Sequence, residues 1–116
     1  MTHGEIWLID FGIPVGSLPA KMRSAVVMQN DLLGMKHLNT VVVIPFTSNL
    51  VSSEHEPNIF FKKEETGLSK DSVAVIHLIG AANKFCFKQK ISKLSEENYQ
   101  KLIDAVVKLI TNKSIT

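Results

Sequence analysis

The 116-residue sequence contains a single cysteine, a single tryptophan, a single tyrosine and, among its 13 basic residues, a single arginine. The lone cysteine, Cys86, cannot form an internal disulfide, which fits a reducing compartment or a small buried apolar residue. The densest apolar run, residues 41–46, is far shorter than the roughly 20 residues that a membrane-spanning helix requires. The first residues also lack the basic stretch that opens a signal peptide. Secreted and membrane-spanning proteins are therefore disfavoured, and a cytoplasmic protein is expected.

Charge is scarce and unevenly distributed along the chain. The formal net charge is only +2; residues 1–58 carry three basic and five acidic side chains, whereas residues 59–116 carry ten and six. This is a mild bias toward polyanionic partners and lacks the basic arm that identifies a nucleic-acid binder by itself. The length predicts one domain, residues 1–116, whose core is large enough to be stable without disulfides or a structural metal ion.

Short apolar stretches separated by turn residues dominate the first two thirds of the chain. They have the length and composition of strands and occupy residues 5–11, 25–29, 40–46, 58–61, 72–78 and 85–91. A helical turn is conceivable at 31–38, although Gly34 weakens it. The last segment has the 3.6-residue period of an amphipathic helix, with Ser95 as its N-cap and an apolar face of Tyr99, Leu102, Ile103, Val106, Leu109 and Ile110. The sequence therefore predicts a mainly β fold with a C-terminal helix, built on a small, bent antiparallel sheet or barrel.

The loop at residues 12–23 holds the only arginine beside a second cation, Lys21. The guanidinium of Arg23 presents a planar fork of donors that matches phosphate oxygens, so this loop is a candidate phosphate site. The alternative is a solvated loop in which Arg23 pairs with a carboxylate such as that of Asp10. Composition alone favours the alternative.

A second candidate lies at the end of an apolar strand, where Thr47, Ser48 and Asn49 follow one another. The hydroxyls of Thr47 and Ser48 can donate hydrogen bonds to a phosphoryl oxygen, but Ser, Thr and Asn side chains commonly satisfy the backbone of their own turn. No metal site is expected, because the four histidines are scattered without ligand spacing. We interpret His77 as a core or edge histidine in a strand. Lys88 and Lys90 are expected to share the wet face of a strand whose other face carries Phe85 and Phe87.

Taken together, these motifs resemble the MazF/PemK toxins of bacterial toxin–antitoxin modules. The resemblance rests on four linked segments in register, 4–11, Gly16–Ser17 with Arg23, 25–31 and 45–49, and it continues through 71–73 into the terminal helix. It covers nearly the whole chain.

The resemblance implies an SH3-like small barrel that forms a homodimer and cuts single-stranded RNA at short sequences without a metal or cofactor. It implies products with a 2′,3′-cyclic phosphate and a 5′-hydroxyl, and inhibition by a cognate antitoxin that covers the RNA groove. The matching catalytic positions are Arg23 and Thr47, with Ser17, Lys21, Ser48 and Asn49 as substrate contacts. Arg23 would stabilise the negative charge that develops on the phosphate oxygens; protonation of the departing 5′-oxygen is a second and less favoured role, because arginine is a poor acid. No general base is evident.

The sequence also departs from the family pattern. Leu18 and Ser24 stand where a polar residue and a proline are usual, and Leu78 and Gly80 replace an expected polar pair. These departures motivate two alternatives: a non-nucleolytic toxin that binds DNA gyrase, as the related CcdB toxins do, or an inactive family member that only binds antitoxin.

Overall fold

The structure, a computed structural model, describes residues 1–18, 21–29 and 37–111. It contains seven strands in these ranges: β1 (Glu5–Asp10), β2 (Met22–Val27), β3 (Thr40–Thr47), β4 (Ile59–Phe61), β5 (Ser72–Ala74), β6 (Gly80–Asn83) and β7 (Phe87–Lys93). Two α-helices, α1 (Lys63–Thr66) and α2 (Glu96–Thr111), and 3₁₀ helices at Leu50–Glu54, Ile76–Leu78 and Lys84–Cys86 are also described. The helical turn considered at 31–38 falls almost wholly outside the described residues.

All strand pairs are antiparallel, and the strand order is β4-β5-β3-β2-β1-β7. β3 is the centre of the sheet, because β2 pairs with one of its edges while β5 and β6 share the other. The outer described strands, β4 and β7, do not pair with each other. The predicted bent antiparallel sheet with a C-terminal helix is therefore confirmed, with the sheet left open.

Alternating side chains of β1, β2 and β3 supply two hydrophobic clusters, as expected for strands covered on both faces. Ile6, Val26 and Ile44 belong to the first cluster, which also receives Leu102 and Ala105 of α2. The second cluster contains the residues that alternate with them, among them Ala25, Val27 and Val43, and Cys86 packs half-buried at its margin. A sheet fixed on both faces gives the loops at its ends a rigid support.

The start of α2 agrees with the sequence, whereas its end does not. Ser95 Oγ accepts the Asn98 N–H at 3.1 Å, which confirms the predicted N-cap. Leu102 is fully buried, but Leu109 and Ile110, which the periodicity assigned to the apolar face, are exposed. None of the helices in the described ranges combines the length and hydrophobicity needed to cross a membrane.

Three strand predictions need correction. β2 begins at Met22, so Arg23 lies in a strand and not in the preceding loop. The apolar run 72–78 leaves the sheet after Ala74, because its chain turns into a 3₁₀ helix in which Ile76 still reaches the core while His77 faces solvent. Phe85 lies in the 3₁₀ turn before β7 and is 78% exposed, so it does not share a buried face with Phe87.

Candidate active site

A cleft of about 620 Å³ opens between the sheet and the turn that connects α1 to β5. We call it the Arg23 cleft; its lining residues are Leu8, Met22, Arg23, Ser24, Phe46, Thr47, Ser48, Gly67, Leu68, Ser69, Lys70, Ser72 and Ile91. Two of these side chains are cations, five carry hydroxyls, and none of the described lining residues is acidic. Such a lining favours an anion that can accept several hydrogen bonds.

The strand register brings together the two residues that the sequence predicted as catalytic. β2 and β3 pair Ala25 with Pro45. Arg23 lies two residues before Ala25 in β2 and Thr47 two residues after Pro45 in β3, so both lie at the same end of this strand pair, and each faces the same side as its paired neighbour. Both residues are half-buried and line the cleft. The phosphate-matching guanidinium and the predicted phosphate-positioning hydroxyl thus belong to one site.

Arg23 has no ion-pair or hydrogen-bond partner for its side chain among the described residues. The alternative pairing with Asp10 is wrong, because Asp10 lies across from Met22 and its Oδ1 accepts the Gly12 N–H at 2.9 Å. Asp10 therefore shapes the turn after β1. The guanidinium remains available for a ligand.

Thr47 serves its own turn and still has a proton to donate. Its Oγ1 accepts the backbone N–H of Asn49 at 3.1 Å, which was the structural role considered from the sequence. A hydroxyl is one donor as well as an acceptor, so this bond fixes the oxygen and leaves the hydrogen free to point elsewhere. The turn thereby holds a donor at the mouth of the cleft.

The other predicted substrate contacts divide between the cleft and its surroundings. Ser48 lines the cleft, whereas Ser17, Lys21 and Asn49 are exposed and are not among its lining residues. Lys21 has a positive φ of 57°, and its backbone N–H and C=O bond to Gly12 and Phe11 to close the loop between β1 and β2. Asn49 Oδ1 accepts the Val51 N–H at 3.2 Å and caps the Leu50–Glu54 turn.

Sequence reasoning missed one wall of the cleft entirely. Ser69 and Lys70 come from a turn that begins at Gly67, whose φ of 75° ends α1 in the left-handed region. Ser72 of β5 adds another hydroxyl. A glycine followed closely by a serine and a cation, between two short elements, was the signal that could have identified this wall.

Three of the four departures from the family pattern meet in one place, whereas the fourth, Ser24, lines the Arg23 cleft. A second pocket of about 280 Å³ is lined by Leu18, Leu78 and Gly80, together with Phe11, Val43, His77, Ile79 and Ala81. His77 is the only titratable side chain among these, so the pocket is largely apolar. Within the described ranges, no three His, Cys, Asp or Glu side chains are grouped so that they could hold a metal ion.

A small antiparallel β protein with a cleft lined by cations and hydroxyls is the class that this fold and site define. The family model described as "PemK-like, MazF-like toxin of type II toxin-antitoxin system" matches residues 2–110. The chain therefore belongs to the PemK/MazF family of toxins, as the sequence motifs predicted.

Individual relatives agree with this assignment. The chain is 32% identical over 94 residues to endoribonuclease MazF2 of Mycobacterium bovis, which covers 81% of this chain and 82% of that one. Its fold is similar to that of MazF from Deinococcus radiodurans, with a TM-score of 0.75, 12% identity and coverage of 95% and 96%. It is also similar to a mycobacterial endoribonuclease solved with its cognate antitoxin, with a TM-score of 0.68, 13% identity and coverage of 92% and 89%. The fold prediction and the prediction of an endoribonuclease toxin are confirmed.

Proposed function

We propose that the Arg23 cleft is the catalytic centre of an endoribonuclease that cuts single-stranded RNA without a metal ion. The observation that carries the proposal is that Arg23 and Thr47 line the same cleft, which holds two cations, five hydroxyls and, among its described residues, no carboxylate. Phosphodiester oxygens are attracted to such a lining, whereas a site for a metal ion would require carboxylate, imidazole or thiolate ligands.

The reaction is an internal transesterification. The ribose 2′-oxygen forms a bond to the adjacent phosphorus, and the bond from phosphorus to the 5′-oxygen breaks. The 2′-hydroxyl loses one proton and the departing 5′-oxygen gains one, so no net proton is consumed. The products are a 2′,3′-cyclic phosphate and a 5′-hydroxyl. Negative charge accumulates on the non-bridging oxygens and on the 5′-oxygen in the transition state, so fixed donors aimed there lower the barrier.

Arg23 supplies the charge stabilisation, because its guanidinium is permanently protonated and is not neutralised by a described carboxylate. Thr47 positions the phosphate with the hydroxyl hydrogen that its bond from Asn49 leaves free. Ser48 can add a further donor from the same turn. The described lining residues include no His, Asp or Glu, and we assign no residue as the general base.

A cognate antitoxin and a second copy of the chain are the proposed protein partners. The mycobacterial endoribonuclease of similar fold was solved with its antitoxin, and the unneutralised cations of the cleft would attract an acidic inhibitory segment. We expect the toxin to act in the cytoplasm as a homodimer. Light scattering of the purified chain, alone and mixed with a candidate antitoxin, measures both assemblies.

The test is cleavage of a long RNA in the presence of EDTA. We expect defined fragments with 2′,3′-cyclic phosphate and 5′-hydroxyl ends, and no cleavage when the scissile ribose is 2′-deoxy. RNA that stays intact across many sequences contradicts the proposal. Toxicity that survives Arg23→Ala and is accompanied by bound gyrase would support the non-nucleolytic alternative, and normal growth on induction without antitoxin would support the inactive one.

A further inference from the structure

The cation that the sequence did not predict, Lys70, lies in the same cleft as Arg23 but comes from an unrelated segment. Arg23 belongs to β2, whereas Lys70 lies on the turn between α1 and β5. A substrate that enters the cleft therefore meets cations from two separate walls. The proposed chemistry needs only one of them, Arg23.

The turn that carries Lys70 is fixed at both ends. On one side, the Ser92 hydroxyl of β7 donates to the Thr66 carbonyl, and the buried Thr66 accepts the Leu68 N–H at 3.1 Å. On the other side, the Ser72 hydroxyl donates to the carbonyl of Lys70 itself at 3.0 Å. The backbone of Lys70 is thus held to the sheet, and the cost of ordering it falls on folding and not on binding.

A further anchor ties α1, just before this turn, to helix α2. Glu65 Oε1 accepts the Lys62 N–H at 3.0 Å within α1, and its Oε2 accepts the Asn98 amide at 3.2 Å. Asn98 is 9% exposed while Glu65 is an exposed residue, so this contact is partly buried. The wall opposite Arg23 is a built part of the fold.

No described acidic group neutralises Lys70. Its neighbour Asp71 is the obvious partner, but Asp71 Oδ1 accepts the Lys63 N–H at 2.9 Å at the start of α1 and does not line the cleft. Lys70 takes part in no ion pair among the described residues. By contrast, Lys90 and Lys108 each lie within ion-pair distance of a carboxylate, at 3.4 and 2.9 Å. Two unneutralised cations in one concavity focus a positive potential that an anion relieves.

The size of the cleft exceeds the need of a single phosphate group. Its volume of about 620 Å³ lies within the roughly 300–1,000 Å³ of pockets that hold drug-sized ligands, which suits a nucleotide unit. Leu8, Leu68 and Ile91 provide apolar surface between the cations and hydroxyls. Each nucleotide within an RNA strand lies between two phosphate groups, one on its 5′ side and one on its 3′ side.

We propose that Lys70 binds a phosphate next to the scissile one, so that the cleft grips two successive phosphates of the RNA strand. This inference rests on the proposed ribonuclease function. Lysine acts as a point charge on a flexible stem, and a phosphate contact carries no base information. Lys70 therefore contributes affinity that is the same for every sequence, whereas Arg23 and Thr47 contribute to the rate of the chemical step.

The experiment compares Lys70→Ala with Lys70→Arg and with a matched control, Lys101→Ala, which removes an exposed lysine of α2 outside the cleft. The probe is a single-stranded oligoribonucleotide that contains a mapped cleavage site, with 2′-deoxyribose at the scissile residue to prevent cleavage. We expect Lys70→Ala to weaken binding about tenfold at low salt, and to reduce the slope of log K against log salt by about 0.7. Lys70→Arg should restore both.

With cleavable RNA, KM should rise in Lys70→Ala while kcat stays close to the wild-type value, and the loss should be equal for unrelated target contexts. Lys101→Ala should match wild type in every measurement. Unchanged affinity and salt slope in Lys70→Ala overturn the inference while leaving cleavage by the wild type intact. A loss of kcat alone, a loss confined to one base context, or an equal loss in Lys101→Ala also overturns it. A wild-type chain that cuts no RNA overturns the proposed function together with this inference.

Discussion

The Arg23 cleft and the N-terminal edge of the sheet treat their charged side chains in opposite ways. At the N-terminal edge, formed by residues 2–5 with Lys90 and Glu96, the carboxylate of Glu5 is buried and surrounded by donors. It accepts Trp7 Nε1–H at 2.9 Å and the Thr2 hydroxyl at 3.0 Å, and Lys90 Nζ lies 3.4 Å away. In the cleft, Arg23 and Lys70 have no carboxylate partner among the described residues.

This difference separates charges that serve folding from charges that await a ligand. A buried carboxylate must be satisfied by donors, because leaving it unpaired costs far more than pairing gains. A half-exposed guanidinium remains hydrated without a partner, so the fold tolerates an unpaired Arg23. Removing a charge at the N-terminal edge should therefore affect stability, and removing one in the cleft should affect activity.

Arg23→Ala tests most directly whether a charge in the cleft affects activity without affecting stability, and it has the largest expected effect. The rate of RNA cleavage should fall about a thousandfold, the magnitude typical of losing a donor to a developing oxyanion. The midpoint of thermal unfolding should stay unchanged, because Arg23 has no described partner to lose. Single-turnover cleavage and calorimetry measure the two quantities.

The matched control for that variant is Lys90→Ala, which removes a cation of β7 that contacts Glu5. It should cleave RNA at the wild-type rate. If the two variants lose equal activity, the distinction between the regions is wrong, since both would then act only through overall charge.

Thr47→Val tests the hydroxyl at nearly constant volume. We expect cleavage to slow by about tenfold to a hundredfold, the cost of one hydrogen bond to a charged group. Thr47→Ser keeps the hydroxyl and should retain most activity. Both variants should unfold close to the wild-type midpoint, because the Asn49 N–H that bonds to Thr47 lies in an exposed turn where water can replace the lost acceptor. Equal cleavage rates for Thr47→Val and Thr47→Ser would show that the hydroxyl does not contribute to the reaction.

The sequence singled out Arg23 and Thr47 as candidates but not the opposite wall of the cleft, for a physical reason. Arg23 and Thr47 each lie within two residues of a strand end and belong to local motifs that resemble the MazF/PemK family. Lys70 and Lys90 look alike in the sequence; only the bonds of Asp71 to Lys63 and of Lys90 to Glu5 show that one is unpaired and the other is paired. Pairing depends on contacts between residues that are distant along the chain.

Local sequence patterns predicted the fold correctly where the hydrophobic periodicity extends over many residues. They were wrong where the apolar runs are short. α2 was predicted with its cap because Ser95 and its repeat are local signals. The run 72–78 does not reveal that β5 ends at Ala74, because Ile76 is fully buried although it lies beyond the strand. Its backbone N–H bonds to Asn58 Oδ1 at 3.0 Å, a contact across 18 residues that the sequence does not display.

Glu5→Gln sharpens the other half of the comparison. Burial raises the pKa of the Glu5 carboxyl, but hydrogen bonds from Trp7, Thr2 and Lys90 outweigh it and hold the pKa below 4.5. Replacing the carboxylate should lower the free energy of unfolding by about 1–3 kcal/mol at neutral pH. The amide NH₂ of glutamine cannot accept a hydrogen bond, so one of the surrounding donors loses its acceptor. The exposed Glu54→Gln is the control and should be silent.

The pH dependence of that effect has a definite sign. A carboxyl whose pKa is lowered by folding stabilises the protein above its unfolded pKa and loses that contribution as pH falls through the folded pKa. The stability difference between wild type and Glu5→Gln should therefore be constant near neutral pH and shrink below pH 4.5. Denaturant titrations at several pH values measure it, and a difference that grows on acidification would refute the assignment.

Lys108→Ala concerns a pair that lies at the surface, and the expected effect is the smallest. Lys108 Nζ lies 2.9 Å from Glu56 Oε2 and lowers the pKa of that carboxyl, by its hydrogen bond first and by its charge second. Both side chains are exposed, so solvent screens the interaction. The variant should raise the pKa of Glu56 toward its ordinary value in an NMR titration while the unfolding midpoint and the cleavage rate stay unchanged. A clear loss of stability would mean that an ion pair stabilises the fold even when it is exposed. The contrast between the N-terminal edge and the cleft would then depend only on whether a charge has a partner, and not on its burial.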